Sequence, residues 1–329
     1  MESRSLKLAQ EFAKDALKAT KGGWFSKPEW ETAAQYWDKA AASYKTACHY
    51  EEAADCYSKA SEAYVHVNAI YLAAKCAENA ATLAEKHLKD QASTIAFYSR
   101  ASDLYRSHGS SYDRAADMME KAAKSCEGID INRAIQLYDS ALSIYESEDR
   151  GRFAIDTFKR VTRFLIDNNR LTEAIAIQER LVTVCEQINN RSDINRARLS
   201  VIILLLAFGD SVEAGKKLDE YGQDISFVRS KEAGLADYMI QAYNNGDQDM
   251  FSDLARDQTL SFIESSIARL AARIRVPGGK RLVPNVDAQA RSPTGTPQIT
   301  YPPTPGGNSA GAAPLQTAVA IEDEDDDLL

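Results

Sequence analysis

Small and apolar residues return along this chain on a twenty-residue ruler. The segments AAQYWDKAAASY, AADCYSKASEAY, AAKCAENAATLA, TIAFYSRASDLY, AADMMEKAAKSC, AIQLYDSALSIY, AIDTFKRVTRFL and AIAIQERLVTVC begin at residues 33, 53, 73, 94, 115, 134, 154 and 174. Their first, fifth, eighth and twelfth positions are mostly small or apolar, and the eighth reads Ala40, Ala60, Ala80, Ala101, Ala122, Ala141, Val161, Leu181. Such offsets share one helical face, which predicts one amphipathic helix per segment. A small residue in mid-face lets a neighbouring helix come close, and the larger fifth residue fills the space beside it.

The stretches between segments are short and polar: His66 to Asn68, Leu88 to Gln91, Ser107 to Tyr112, Glu127 to Ile131, Asp167 to Leu171. Consecutive helices must then be antiparallel, and two of them make a hairpin of about forty residues, longer than the usual 34-residue tetratricopeptide (TPR) unit. The expected fold is all-α: a TPR-like right-handed solenoid of antiparallel helical hairpins over residues 1–190. The ruler fades beyond it. Arg191 to Phe208 ends in VIILLLAF and reads as a buried helix, with further helices near 211–221, 229–244, 247–255 and 258–275. Residues 191–276 are expected to close the stack as a C-terminal helical bundle.

Proline sharpens these boundaries. Of 9 prolines, Pro28 stands alone and the other eight lie between Pro277 and Pro314, so residues 29–276 contain none, as a helical body requires. Residues 277–329 read as a disordered Pro/Gly-rich linker whose acidic tip, Glu322 to Asp327, precedes Leu328 and Leu329. Ser292, Thr296 and Thr304 in it each precede proline and are candidate phosphorylation sites.

Charge and composition then exclude several functions. A net charge of −9 argues against a nucleic-acid partner. The longest apolar run, Val201 to Phe208, cannot span a bilayer, and the first twenty residues have no signal-peptide core, so the expected location is cytoplasmic. Five cysteines form no C-x-x-C pair and read as reduced, mostly buried small hydrophobes. The histidines His49, His66, His87 and His108 follow the repeat phase near the turns, and no H-E-x-x-H, G-x-S-x-G or paired Cys/His set exists. The chain is expected to be no enzyme, with no catalytic residue, metal or cofactor.

Three features exceed the needs of a scaffold. Between the first helix and the array lies an apolar loop at 22–30, in which Trp24 and Phe25 either pack on the first hairpin or meet a membrane surface, whereas Trp30 leads into the first repeat helix. Residues 150–198 hold ten Lys and Arg against six acids, with Arg150, Arg152, Lys159, Arg160, Arg163 and Arg170 crowded on one hairpin; that stripe suits an acidic partner or is simply solvated. The third feature is the apolar pair ending the acidic tip.

Together, the twenty-residue ruler, the Gly22-Gly23-Trp24-Phe25 loop with Pro28, the run Gly246-Asp247-Gln248-Asp249-Met250-Phe251-Ser252-Asp253 and Val276-Pro277-Gly278-Gly279 resemble the soluble NSF attachment proteins, most nearly the gamma type. The resemblance covers residues 1–280 and rests on the order and spacing of short motifs. It implies an adaptor that lies along assembled SNARE complexes of syntaxin-type and other SNAREs and recruits the AAA ATPase NSF, which takes them apart. It further implies membrane contact through Trp24 and Phe25, SNARE binding through Lys159, Arg160 and Arg163, and ATPase binding through Asp247, Asp249, Asp253 and Leu328. A peripheral location on membranes of the secretory and endosomal pathway follows, with roles in ER–Golgi and other vesicle-mediated transport. Gln241, Asn244 and Asn245 are neutral where the alpha type has carboxylates. About 45 residues of linker, spanning roughly 35–40 Å, let Leu328 reach the ATPase without holding it there. The competing expectation is a generic TPR-type scaffold for short peptides or helical partners.

Overall fold

A computed structural model of the chain describes residues 2–21, 27–147 and 151–278. The helices of the repeat array are α1 (Glu2–Lys21), α2 (Trp30–Thr46), α3 (Tyr50–His66), α4 (Ile70–Leu83), α5 (Gln91–Ser107), α6 (Tyr112–Cys126), α7 (Ile131–Ser147), α8 (Gly151–Asp167) and α9 (Leu171–Gln187). They are followed by α10 (Arg191–Phe208), α11 (Ser211–Tyr221), α12 (Ile225–Val228), α13 (Lys231–Asn244), α14 (Gln248–Leu254) and α15 (Ser265–Ala271). No strand occurs among the described residues. From α1 to α10 each helix packs on its sequence neighbours, the arrangement of a helical-hairpin solenoid.

The packed face is the one the ruler marks. In α2 through α9 every first, fifth, eighth and twelfth residue is buried except Tyr44, which is half-buried. The departure from a strict step of twenty also has a local cause. After α4 the chain makes a π-helical turn, Ala84–Leu88, whose wider loop absorbs an inserted residue where the step from 73 to 94 is 21.

A second periodicity sits in the backbone. Cys48, Asn68, Lys89, Gly109, Asn169, Asn189 and Gly209 all have positive φ and close the helix before them. At Asn68 the paired bonds of a Schellman cap form, Asn68 N–H to the Val65 carbonyl at 3.0 Å and Ala69 N–H to that of Tyr64 at 2.9 Å. The same pair recurs at Asn169, Asn189 and Gly209. Each cap turns the chain back within three residues, which sets the hairpin angle. At Gly209, φ is +95° and an added Cβ would stand 3.9 Å from Tyr243 Oη, so space is available and only the backbone objects. Gly209→Val is therefore expected to cost about 1–2 kcal/mol in urea unfolding without altering helix content.

One hydrophobic core runs from Ala74 to Val276 and another from Ala16 to Leu83, with Phe97 and Leu104 packed against both. Helix α10 occupies the middle of the larger one. Every residue from Leu199 to Leu206 is buried, surrounded by α9, α11, α13 and α15, which accounts for its unbroken apolar run. The last expected helix is divided: Gln258–Phe262 is a 3-10 turn, Ile263 is extended, and Glu264 caps α15 by accepting from Ser266 N–H. The one-turn α12 was not isolated by the hydrophobic pattern, being shorter than a helical period can reveal.

Candidate protein-binding surface

Charge pairs join helices two apart in the chain. Glu62 of α3 meets Arg100 of α5 at 3.4 Å, Glu78 of α4 meets Arg114 of α6 at 3.6 Å, and Glu120 of α6 meets Arg160 of α8 at 3.0 Å. Arg180 of α9 binds Asp139 and Glu146 of α7, and Lys217 of α11 meets Glu179 of α9 at 3.0 Å. In all of these the acid lies on the earlier helix. At this exposure each pair contributes at most about 1 kcal/mol, so the ladder governs register and surface charge more than stability.

Buried tyrosines use carboxylates as well. The hydroxyls of Tyr98 and Tyr105 on α5 donate to Glu85 at 2.8 Å and Glu78 at 2.7 Å, and Tyr138 on α7 donates to Glu127. Burial first, and then these acceptors, raise all three phenols well above the ordinary range, so they remain neutral donors. Histidines hold the turns: His66 stacks on Trp30 at 4.0 Å and His87 on Tyr50 at 3.8 Å between ring centroids. The histidine row thus has a packing role that its spacing alone did not reveal.

Against this background the basic stripe is smaller than its residue count. Arg160 is clamped by Glu120, which also accepts from Thr157 at 2.9 Å. Arg170 donates to Asn132 and Glu173, Arg180 is bound as above, and Arg196 pairs with Asp193. Arg198 is buried between Glu186 and Asp224. Lys159 and Arg163 are the looser members, 4.0 Å from Asp156 and 3.7 Å from Asp167 on their own helix. Arg150 lies outside the described residues.

The three singled-out bases share one helix and an arc of about 100°, yet they line different hollows. Arg160 and Arg163 border one of about 540 Å³ together with Phe164, Tyr138 and Lys124 of α6. Lys159 borders a different hollow, with Asp193, Arg196 and Phe262. Lys124 was missed in the sequence, although the forty-residue hairpin period places it beside Arg163 on the neighbouring helix.

Toward the C-terminal end, Asp247, Asp249 and Asp253 are exposed within one short segment. Asp247 caps α14 by accepting from Met250 N–H at 2.9 Å, and Asp253 stands 3.3 Å from Arg256. Asp249 has no ion-pair partner within 4.0 Å among the described residues. Asp219 and Asp237, from α11 and α13, line a separate hollow of about 490 Å³ with Val228 and Leu218. No contiguous motif announces them. Trp24, Phe25 and Leu328 lie outside the described residues.

Among the described residues no three His, Cys, Asp or Glu side chains are placed to hold a metal, and no helix is long and apolar enough to cross a membrane. Stacked hairpins bordered by charge-lined hollows define a helical-repeat scaffold. Its family follows from comparison: the model described as soluble NSF attachment protein, SNAP, matches residues 7–258, and the chain belongs to that family. It is 32% identical to a gamma-soluble NSF attachment protein of Dictyostelium discoideum over 205 residues, 62% of this chain and 63% of that one. It is likewise 32% identical to one of Arabidopsis thaliana over 202 residues, 61% of this chain and 69% of that one. The vesicular-fusion protein SEC17 of Coprinopsis cinerea is 27% identical over 143 residues, covering 42% and 50% of the two chains. The chain therefore spans a little under two thirds of the Dictyostelium relative's length.

Proposed function

We propose that this protein is a non-enzymatic adaptor that binds assembled SNARE complexes and recruits and stimulates the NSF ATPase, which separates them during vesicle fusion and intracellular transport. The observation that carries this reading is the family match over residues 7–258. The relatives' names, attachment to NSF and vesicular fusion, agree with it. A stack of helices supports it physically, since such a stack offers a long surface of individually weak contacts that add when several copies share one partner. In this reading Lys159, Arg160 and Arg163, with Lys124, meet acidic SNARE side chains. Asp247, Asp249 and Asp253 with Leu328 meet the ATPase, and Trp24 and Phe25 touch the membrane. Work takes place in the cytoplasm, peripherally on membranes of the secretory and endosomal pathway.

The decisive experiment is reconstitution of SNARE disassembly by NSF and ATP with this protein as sole adaptor, with and without Leu328. Disassembly that requires the protein supports the reading, and none at any concentration overturns it. Charge reversal tests the surface. Lys159→Glu with Arg163→Glu is expected to weaken SNARE-complex binding about tenfold at low salt, and less as salt shortens the screening length. Arg160→Glu is expected to carry an additional stability loss, because Glu120 then faces a second carboxylate. Unchanged binding by the Lys159 and Arg163 double variant would remove α8 from the interface.

A further inference from the structure

Helix α1 packs on α2, and among the described residues α2 is its one extensive helical contact. The packed side is marked by buried Ala9 and Ala16 with Phe12, Ala13 and Ala19 against the core. On the reverse side stand Lys7, Lys14, Lys18 and Lys21, all exposed. At about 100° per residue they fall within an arc of about 60°, almost opposite the packed face, and extend about 21 Å along the axis. No acid lies within that arc. Arg4, Glu11 and Asp15 follow one edge of the row, where Asp15 pairs with Lys18 at 3.1 Å, and Leu17, 45% exposed, follows the other.

We infer that this lysine row is a docking surface for an anionic phospholipid membrane. A groove that grips one acidic side chain is concave and presents few charges. The α1 row is the reverse, a straight convex ridge of like charges with an apolar residue at its border. Compact ammonium groups on flexible stems suit headgroup phosphates and carboxylates that are numerous and not individually positioned. Each such lysine near an anionic bilayer contributes about a fivefold gain in affinity. The ridge thus supplies a membrane contact separate from the apolar loop and from the SNARE-facing bases, and it stands whether or not the loop inserts.

Binding of the full chain to phosphatidylcholine vesicles, with and without phosphatidylserine, tests this by co-flotation. The wild type is expected to bind the phosphatidylserine vesicles at low salt and to be released at 1 M salt, where the screening length is about 3 Å. Lys7→Ala, Lys14→Ala and Lys21→Ala combined are expected to weaken that binding about 100-fold. Alanine keeps the helix, so circular dichroism should be unchanged. Trp24 and Phe25 stay native in every arm.

Equal binding to vesicles lacking phosphatidylserine would overturn the inference, as would wild-type affinity in the triple variant. So would an equal loss from Lys159→Ala with Arg163→Ala, because that would mean net charge and not the α1 ridge is sensed. Pull-down of soluble SNARE complexes without lipid should be unaffected by the triple variant; a loss there would assign the ridge to an acidic protein instead. The adaptor reading is tested separately by lipid-free disassembly, so failure of one is distinguishable from failure of the other.

Discussion

Replacing Arg198 with alanine is expected to lower the stability of the helical body by about 3–4 kcal/mol. Arg198 is 6% exposed and sits where three parts of the chain converge. One guanidinium nitrogen donates to Asp224 at 2.8 Å and another to Glu186 at 2.9 Å, while the group lies 5.2 Å from the Tyr221 ring and 5.4 Å from that of Phe227. It therefore ties α10 to the end of α9, to α11 and to the entry of α12. Truncation removes charged hydrogen bonds and cation–π contacts and leaves a cavity, although the two carboxylates are exposed enough to rehydrate. Arg198→Met keeps most of the volume and should restore about half of the loss.

Thermal and urea unfolding followed by circular dichroism measure these differences. A midpoint drop of roughly 6–16 °C is expected for the alanine variant, at about 2–4 °C per kcal/mol in a body of this size. A change within error would mean that the guanidinium pays its own desolvation without net gain.

The pH dependence gives an independent readout of the same contact. Hydrogen bonds from Arg198 and then from Ser226 hold the Asp224 carboxyl down at about 2, below its ordinary 3.8. A carboxyl with a depressed folded value contributes stability that is fully present above its unfolded value and is lost as pH falls through the folded one. The wild type should therefore lose this contribution between about pH 4 and pH 2. Arg198→Met should show a flatter dependence across that window, since the first cause of the depression is gone.

The second large effect is expected at Phe158, the fifth residue of its repeat unit. Phe158 is fully buried, and its ring has the Arg180 guanidinium 6.0 Å away. Phe158→Ala should cost about 3–5 kcal/mol, because a neighbouring helix cannot move inward far enough to refill the space. Phe158→Leu should cost about 1–1.5 kcal/mol. The position also couples the core to the surface, since the next residue is Lys159 and Arg160 and Arg163 follow on the same helix. If α8 is the SNARE-binding element, the alanine variant should weaken SNARE-complex binding at temperatures where it is still folded, and the leucine variant should not. Equal binding by both would mean that the bases do not depend on the seating of α8.

Much of this fold could be read before any coordinates. Alanine at the eighth position in six of the eight units, and Trp, Tyr, Met or Phe at the fifth in six, marked the buried face, because burial in a regular stack repeats with the residue period. The unit with Gln178 at its fifth position shows how such a pattern tolerates an exception: the amide is buried and donates to Thr162 at 2.9 Å on the adjacent helix. The caps were only half legible. Asn68, Asn169, Asn189 and Gly209 suit a left-handed residue, but Cys48 and Lys89 occupy the same conformation with no such signature. The divided 258–275 segment was misread as one helix because an apolar pattern continues across Ile263, whereas the break depends on the Glu264 cap.

Residue order alone determined the all-helical class, the antiparallel hairpins and the burial of α10, because hydrophobic periodicity and the absence of proline from 29 to 276 act locally along the chain. Only the tertiary structure decided which charges are available. Counting bases from 150 to 198 suggested a broad positive stripe, yet Arg160, Arg170, Arg180, Arg196 and Arg198 are engaged within the protein, Arg160 and Arg180 by carboxylates two helices earlier. Conversely, the four lysines of α1 are diluted in the sequence by Glu11 and Asp15 and gathered on one side by the helix itself, and packing of the opposite face on α2 leaves that side exposed. Charge is additive along a chain, whereas the field at a surface depends on which partners folding brings within a few ångströms.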